Sequence, residues 1–333
     1  MDKIRIGVIG LNFGQHHVRT LANMEDVNLT AIADMTSENL DDLAEKYQVK
    51  TYRDGLQMMG RENLDAVTIA TSPKYRDQLV ACAAQNKIAM FVEKPWAVNL
   101  EHAQKLGEIC HRYKATVMVG FSFRYHPAIV KLHSLMDNSL GAGLLLNGEY
   151  VFSWVPPAEH WLWDPANGNG FFNENSCHLF DAVNYLLGDP VSLTAEAITP
   201  LKRPSEQAAA ITLRYANDAI ACLSVGCLGS GAFHNYPRID IKTTNGQAAL
   251  AGRNHIWESL TWATHDEQFT HQLVTPPEAL GSTRYTHAMQ HFVDSIRSGQ
   301  PPLSGVEDGI KTVAMAMAVY EAARTGQKVH LTW

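Results

Sequence analysis

Three places along this chain bring together residues able to move protons or hold a charged ligand. Glu93-Lys94-Pro95 follows the apolar run Ala89-Met90-Phe91-Val92, so opposite charges stand where a buried strand is expected to end. Charge there is costly unless it is used or paired. An ammonium so placed can polarise a hydroxyl; paired with Glu93, Lys94 is equally an ordinary snorkelling lysine. Glu174, His178 and Asp181 fall at i, i+4 and i+7, which predicts one face of a helix. A carboxylate beside an imidazole orients it and stabilises its protonated form, making His178 a general acid/base; the plain alternative is a solvated Glu-His face.

The third place is the turn Gly10-Leu11-Asn12-Phe13-Gly14. A strand ending at Gly10 and a helix opening near Gly14 leave backbone N–H groups and a helix dipole to receive a pyrophosphate. The spacing departs from G-x-G-x-x-G, because Asn12 and Gln15 stand where glycines are usual. Asn tolerates the left-handed conformation, so Asn12 is predicted at positive φ. Asp34, closing Ala31-Ile32-Ala33, is placed to bond the adenosine ribose hydroxyls, or else to cap the next helix. Met35, Thr36 and Ser37 offer no cation for a 2′-phosphate, so NAD is expected rather than NADP.

The elements that must position these groups follow from periodicity. Apolar strands at 4–9, 27–33, 66–70, 88–92 and 116–119 alternate with helical stretches at 15–24, 37–47, 75–85 and 100–111, which predicts a doubly wound parallel sheet. Ligands in such sheets lie beyond the carboxyl ends of the strands, which singles out Gly10 to Gly14, Asp34, Thr71-Ser72-Pro73 and Glu93 to Pro95. After residue 122 the pattern changes to β-type runs at 144–153, 192–199, 208–215, 220–226, 238–244 and 256–262, closed by helices at 285–297 and 306–324. The expected architecture is therefore an α/β domain over 1–122 and an α+β domain over 123–333 with a large, mainly antiparallel sheet. The loop before Glu174 carries Trp154, Trp161 and Trp163, whose faces can stack on a sugar or cyclitol, or simply pack as a lid.

Composition narrows the partners. A chain of 333 residues, 46% hydrophobic and 18% charged, is long enough for two cores. The net charge of -7, with no basic stripe, argues against nucleic acid. Five unpaired-looking cysteines, no signal-type N-terminus and no long apolar run predict a cytoplasmic protein away from membranes. His287 and His291 have i, i+4 spacing but lack the Glu of H-E-x-x-H, so no metal is expected.

Ile69 to Pro73, Glu93-Lys94-Pro95, and Gly120-Phe121 with Arg124 and Pro127 occur in the order and spacing of one family, and the chain resembles the Gfo/Idh/MocA oxidoreductases. The likeness runs over nearly the whole chain. It implies a Rossmann domain followed by an open-sheet domain that builds the substrate pocket and an oligomer interface. The run from Gly168 to Asp181 is similar to the family's second motif, with His178 and Asp181 matching, Glu174 in place of Asp and Ser176 in place of Gly. The resemblance implies hydride transfer between NAD and a secondary alcohol of a sugar, sugar acid or cyclitol. Lys94 would orient the hydroxyl, with His178 as acid/base tuned by Glu174. Arg124, Trp161, Trp163, Glu174, His178 and Asp181 would place substrate, while Gly10, Asn12, Phe13, Gly14, Asp34, Thr71, Ser72, Pro73, Glu93 and Lys94 would meet the cofactor. Relatives that use NAD transiently as lyases or glycosidases, or that sense sugars without catalysis, define the alternatives. Many relatives have Trp-Arg where this chain has Trp161-Leu162, so that contact is missing.

Overall fold

The computed structural model describes residues 2–36, 38, 40–233, 237–253, 255–276 and 283–333, without the side chains of 283 and 284. Ser37, where the sequence reading begins its second helix, lies outside them. The chain divides into two compact units, Met1–Phe121 with Tyr285–Ile310, and Ser122–Arg284 with Lys311–Trp333.

The first unit runs β1 (Ile4–Ile9), α1 (Leu11–Leu21), β2 (Val27–Ala33), α2 (Leu40–Tyr47), β3 (Lys50–Tyr52), α3 (Gly55–Arg61), β4 (Ala66–Ile69), α4 (Arg76–Gln85), β5 (Ala89–Val92), α5 (Leu100–Tyr113) and β6 (Val117–Val119). Six strands pair in the order β3-β2-β1-β4-β5-β6, all parallel. Every residue of β4 and β5 is buried, as a strand covered on both faces requires. Because β1 has β2 on one side and β4 on the other, the winding direction reverses there. The ends of β1, β4 and β5 consequently border the position where such sheets take ligands. The sequence reading omits β3 and α3, whose three and seven residues are too short to display a period. Asp54 caps α3 and Asn99 caps α5, each side chain accepting a backbone N–H of the first turn.

The second unit contains α6 (Pro127–Leu135), β7 (Gly143–Val151), α7 (Cys177–Leu187), β8 (Pro190–Ile198), β9 (Ala208–Tyr215), β10 (Ile220–Gly226), β11 (Arg238–Thr243), β12 (Gly246–Arg253), β13 (Ile256–Thr264) and β14 (His271–Val274), with β15 (Val329–His330) at the end. Nine strands pair as β14-β13-β12-β11-β7-β10-β9-β8-β15. The β7–β10 pair is parallel and the other pairs are antiparallel. Burial alternates along β9 and β10, so one face of the sheet enters the core with Leu179, Phe180 and Val183 of α7 while the other stays open. The sequence reading passes over β12, whose Ala and Gly content hides its alternation.

Beyond the boundary expected near residue 122, Tyr285–Ile310, which spans most of α8 (Thr283–Ser298) and the start of α9 (Val306–Thr325), groups with the first unit. The return has specific ties. Arg297 pairs with Asp26 at 2.6 Å, and Ser304 exchanges two hydrogen bonds with the backbone of Val119, its carbonyl accepting the Val119 N–H at 2.8 Å and its hydroxyl donating to the Val119 carbonyl at 2.7 Å. None of these pairings leaves a mark in local sequence. Gly326, at φ 66°, stops α9. No helix among the described residues is long and apolar enough to cross a membrane.

Candidate active site

The dinucleotide turn is tighter than the sequence reading had it. Helix α1 begins at Leu11, so Asn12 lies in its first turn and Gly10, at φ 87°, is the left-handed residue. One glycine turns the chain from strand to helix, which removes the need for positive φ at Asn12. A Cβ on Gly10 would lie 2.9 Å from the backbone of Ala70 and Thr71, a contact only glycine avoids. Gly14 brings α1 onto the sheet, its absent Cβ falling 3.2 Å from Val8 and Ala70 side-chain atoms. Asp34 accepts the N–H of Leu11 at 2.6 Å and that of Thr36 at 2.8 Å, which places its carboxylate at the α1 N-terminus. Phe13 is partly exposed, its ring near those of His17 and Tyr285.

These groups fit NAD. The backbone turn at Gly10 is clear of side chain, Asp34 is oriented beside it, and Thr71 Oγ1 is buried with no hydrogen-bond partner among the described residues. Ser72 and Pro73 open the short 3-10 turn after β4, with Pro73 buried.

Beyond β5, Lys94 is half-buried, whereas Glu93 turns inward. Glu93 Oε1 lies 2.9 Å from Nε2 of buried His17, and Oε2 accepts the Lys94 N–H at 3.2 Å. Glu93, expected to meet the cofactor, turns its carboxylate inward to His17 and the Lys94 N–H. Burial works against its ionised form, yet the His17 hydrogen bond and the charges of His17, Lys94 and Arg76 hold its carboxyl below the usual range. Arg76 is completely buried, which pulls its guanidinium down to about 9 against the opposing field of Glu93 and leaves it charged at neutral pH. Neither His17 nor Arg76 was singled out by sequence, because only the folded chain brings residues 17, 76 and 93 together.

In the second unit the Glu174 helix face is a correction. Phe172–Ser176 forms a π turn and regular helix begins at Cys177, so only His178 and Asp181 keep α-helical spacing. Glu174 is half-buried, bonds the Asn175 side chain and bears electrostatically on His160, whose proton affinity burial lowers. Asp181, 0% exposed, is bound by both Nε and Nη2 of Arg124 at 2.6 to 3.0 Å. These two proposed substrate ligands are therefore engaged with each other, as a buried guanidinium requires. Trp163 is likewise buried, its indole donating to the Pro157 carbonyl at 2.8 Å, so it anchors the loop; Trp161 and Trp154 remain exposed on either side of His160.

His178 is buried beside Phe123 and Tyr150, with ring centroids 5.1 and 6.1 Å away. Tyr150 comes from β7, and its hydroxyl lies 2.6 Å from Nδ1 of His255, a residue at φ 65°. A non-glycine residue held in that region needs surrounding structure to keep it there. Sequence missed this pair because its members lie 105 positions apart. Tyr150→Phe is expected to cost about 1 kcal/mol, the net worth of one hydrogen bond. Urea unfolding measures it, and an unchanged midpoint would show the bond to be idle.

The match to known proteins divides the sequence between residues 121 and 134. Residues 4–121 match the family described as "Oxidoreductase family, NAD-binding Rossmann fold", and residues 134–331 its "C-terminal alpha/beta domain". The chain belongs to the Gfo/Idh/MocA oxidoreductase family. It is 25% identical to the myo-inositol 2-dehydrogenase of Thermotoga maritima over 98% of both chains. It is 24% identical to the D-apiose dehydrogenase of Paraburkholderia graminis, over 96% of this chain and 87% of that one. Among solved structures, a levoglucosan dehydrogenase in complex with NADH and L-sorbose shares the fold with a TM-score of 0.88, at 19% identity and full coverage of both chains. This Gfo/Idh/MocA protein is thus an oxidoreductase with an NAD-binding Rossmann domain.

Proposed function

We propose that this oxidoreductase oxidises a secondary alcohol of a sugar, sugar acid or cyclitol, with Lys94 and His178 as its working side chains. The observation that carries the reading is the Lys94 turn, charged and held by buried partners, at the end of β5 in an NAD-binding unit. The names of the relatives, inositol and apiose dehydrogenases, support the substrate class.

Bound NAD would supply the hydride acceptor at nicotinamide C4. Gly10, Phe13, Gly14, Asp34, Thr71, Ser72 and Pro73 would hold it. The Lys94 ammonium would donate to the substrate hydroxyl oxygen, drawing charge from the O–H bond. His178 would then take that proton; its packing against Phe123 and Tyr150 limits rotation of the ring. Trp161 offers an exposed face to the substrate's C–H surface. The open face of the nine-stranded sheet, with Leu144 and Leu145 exposed, suits a homo-oligomer, and the free thiols suit the cytoplasm.

A panel of sugars, sugar acids and cyclitols, followed by NADH absorbance, tests the reading. One NADH per alcohol consumed is expected. Turnover without NADH release would mean a lyase or glycosidase using retained NAD, and bound NAD that no substrate reduces would mean a sensor.

Coenzyme choice has its own test. Asp34→Asn keeps one of the two oxygens that accept the Leu11 and Thr36 N–H groups while removing the charge that repels a 2′-phosphate. The kcat/KM ratio of NADP to NAD is expected to rise about tenfold or more, as loss of a charge-assisted bond implies. An unchanged ratio would remove Asp34 from coenzyme selection.

A further inference from the structure

Buried charge converges on the Lys94 turn from two other elements. Arg76, at the start of α4, donates from Nη2 to the Thr71 carbonyl at 2.8 Å and from Nη1 to the carbonyls of Pro95 and Trp96, the latter at 3.1 Å. One guanidinium therefore ties the loop after β4 to the turn after β5. His17, from α1, reaches Glu93 from the other side, and its ring also meets Phe13 of the dinucleotide turn edge-on, 5.9 Å between centroids. Gly120 makes room for the carboxylate: a Cβ there would lie 3.1 Å from the carboxyl atoms of Glu93.

Such an arrangement is an expensive way to fill a core. Apolar residues of similar volume usually serve stability as well or better, because desolvating two ions costs about as much as their attraction returns. What a planar guanidinium bonded to three carbonyls does supply is fixed geometry. We propose that Arg76, Glu93 and His17 are positioning residues for Lys94, holding its turn and the Thr71 loop in one arrangement. The inference rests on the reading of Lys94 as a working side chain. Arg76 sets the carbonyls on either side of the turn; Glu93 sets the Lys94 backbone N–H and places an anion beside its ammonium. His17 keeps that anion in place and links it to the turn that receives the dinucleotide.

The test reads Lys94 directly, without NAD or substrate. The folded chain is treated with acetic anhydride, and acylation is counted by mass on the peptide carrying Lys94, with Lys131 as the internal standard. Glu93→Gln keeps the shape but removes the anion, and Lys94 is expected to react about tenfold faster, the effect of losing one close opposite charge. His17→Leu, which removes the hydrogen-bond partner of Glu93, is expected to move the rate in the same direction. His17→Gln, able to donate to Glu93, is expected to restore the original rate. On an alcohol that the panel shows to be oxidised, Glu93→Gln and His17→Leu are expected to lose about a hundredfold in kcat at nearly constant KM, as displacement of a reacting group does.

Original labelling rates in folded Glu93→Gln and His17→Leu would overturn the proposal. So would equal rates in His17→Leu and His17→Gln, or faster labelling with undiminished kcat. Should Glu93→Gln not fold, the two His17 variants decide by themselves. If no alcohol in the panel is oxidised, the reading of the reaction fails while the labelling still decides whether the network positions Lys94.

Discussion

Lys94→Ala is expected to lower kcat by about 10²–10⁴-fold while NADH still binds, the range found when a positioned proton donor is removed. The expectation follows from where the side chain is and from what surrounds it. Lys94 is half-buried at the end of β5, with the Glu93 carboxylate accepting its backbone N–H and the neighbouring carbonyls bound to Arg76. Its loss removes an ammonium but leaves Gly10, Asp34 and Thr71 untouched, so coenzyme affinity and turnover should separate. Lys94→Arg should not rescue, because a planar fork does not reproduce a compact ammonium. Stopped-flow measurement of NADH formation, alongside NADH fluorescence titration, makes the comparison. Full turnover in Lys94→Ala would end its assigned role, and equal losses of binding and turnover would recast it as a coenzyme ligand.

Arg124→Met is expected to destabilise the second unit by about 3–5 kcal/mol, the cost of leaving a buried charge without its partner. Asp181 is 0% exposed and Arg124 5%, and the pair is bidentate. Met roughly matches the arginine stem in volume, so the loss comes from the stranded carboxylate rather than from a cavity. The double variant Arg124→Met with Asp181→Leu should recover most of the loss, since two apolar side chains replace a desolvated pair. Urea unfolding of the three variants provides the cycle. If Arg124 serves substrate instead, the single variant will keep its unfolding midpoint and raise KM.

The same pair shows how sequence and structure divide the work. His178 and Asp181 were both found from their spacing after the glycine-rich run, and both are where a helix would place them. Spacing could not say that Asp181 is committed to Arg124, 57 positions earlier, because a side chain's partner depends on which other element packs against it. Glu174 shows the reverse case. Its i, i+4 relation to His178 presumed regular α-helix, and a π turn, which no residue preference announces, changed the direction in which it projects.

Local sequence therefore determined a good deal. The alternating short strands and helices, the turn at Gly10, the acid at the end of β2 and the charged end of β5 are each set by a few neighbouring residues: apolar periodicity, a glycine at positive φ, a proline after a lysine. Only the tertiary structure decided that Glu93 faces His17 and Arg76, that Tyr150 meets His255, that Trp163 anchors while Trp161 is exposed, and that residues 285–310 rejoin the first unit. Elements are dictated by backbone preferences acting over a few residues, whereas the partner of a buried charge is dictated by whichever distant segment can satisfy it. Desolvation makes that choice compulsory, and no local pattern records it.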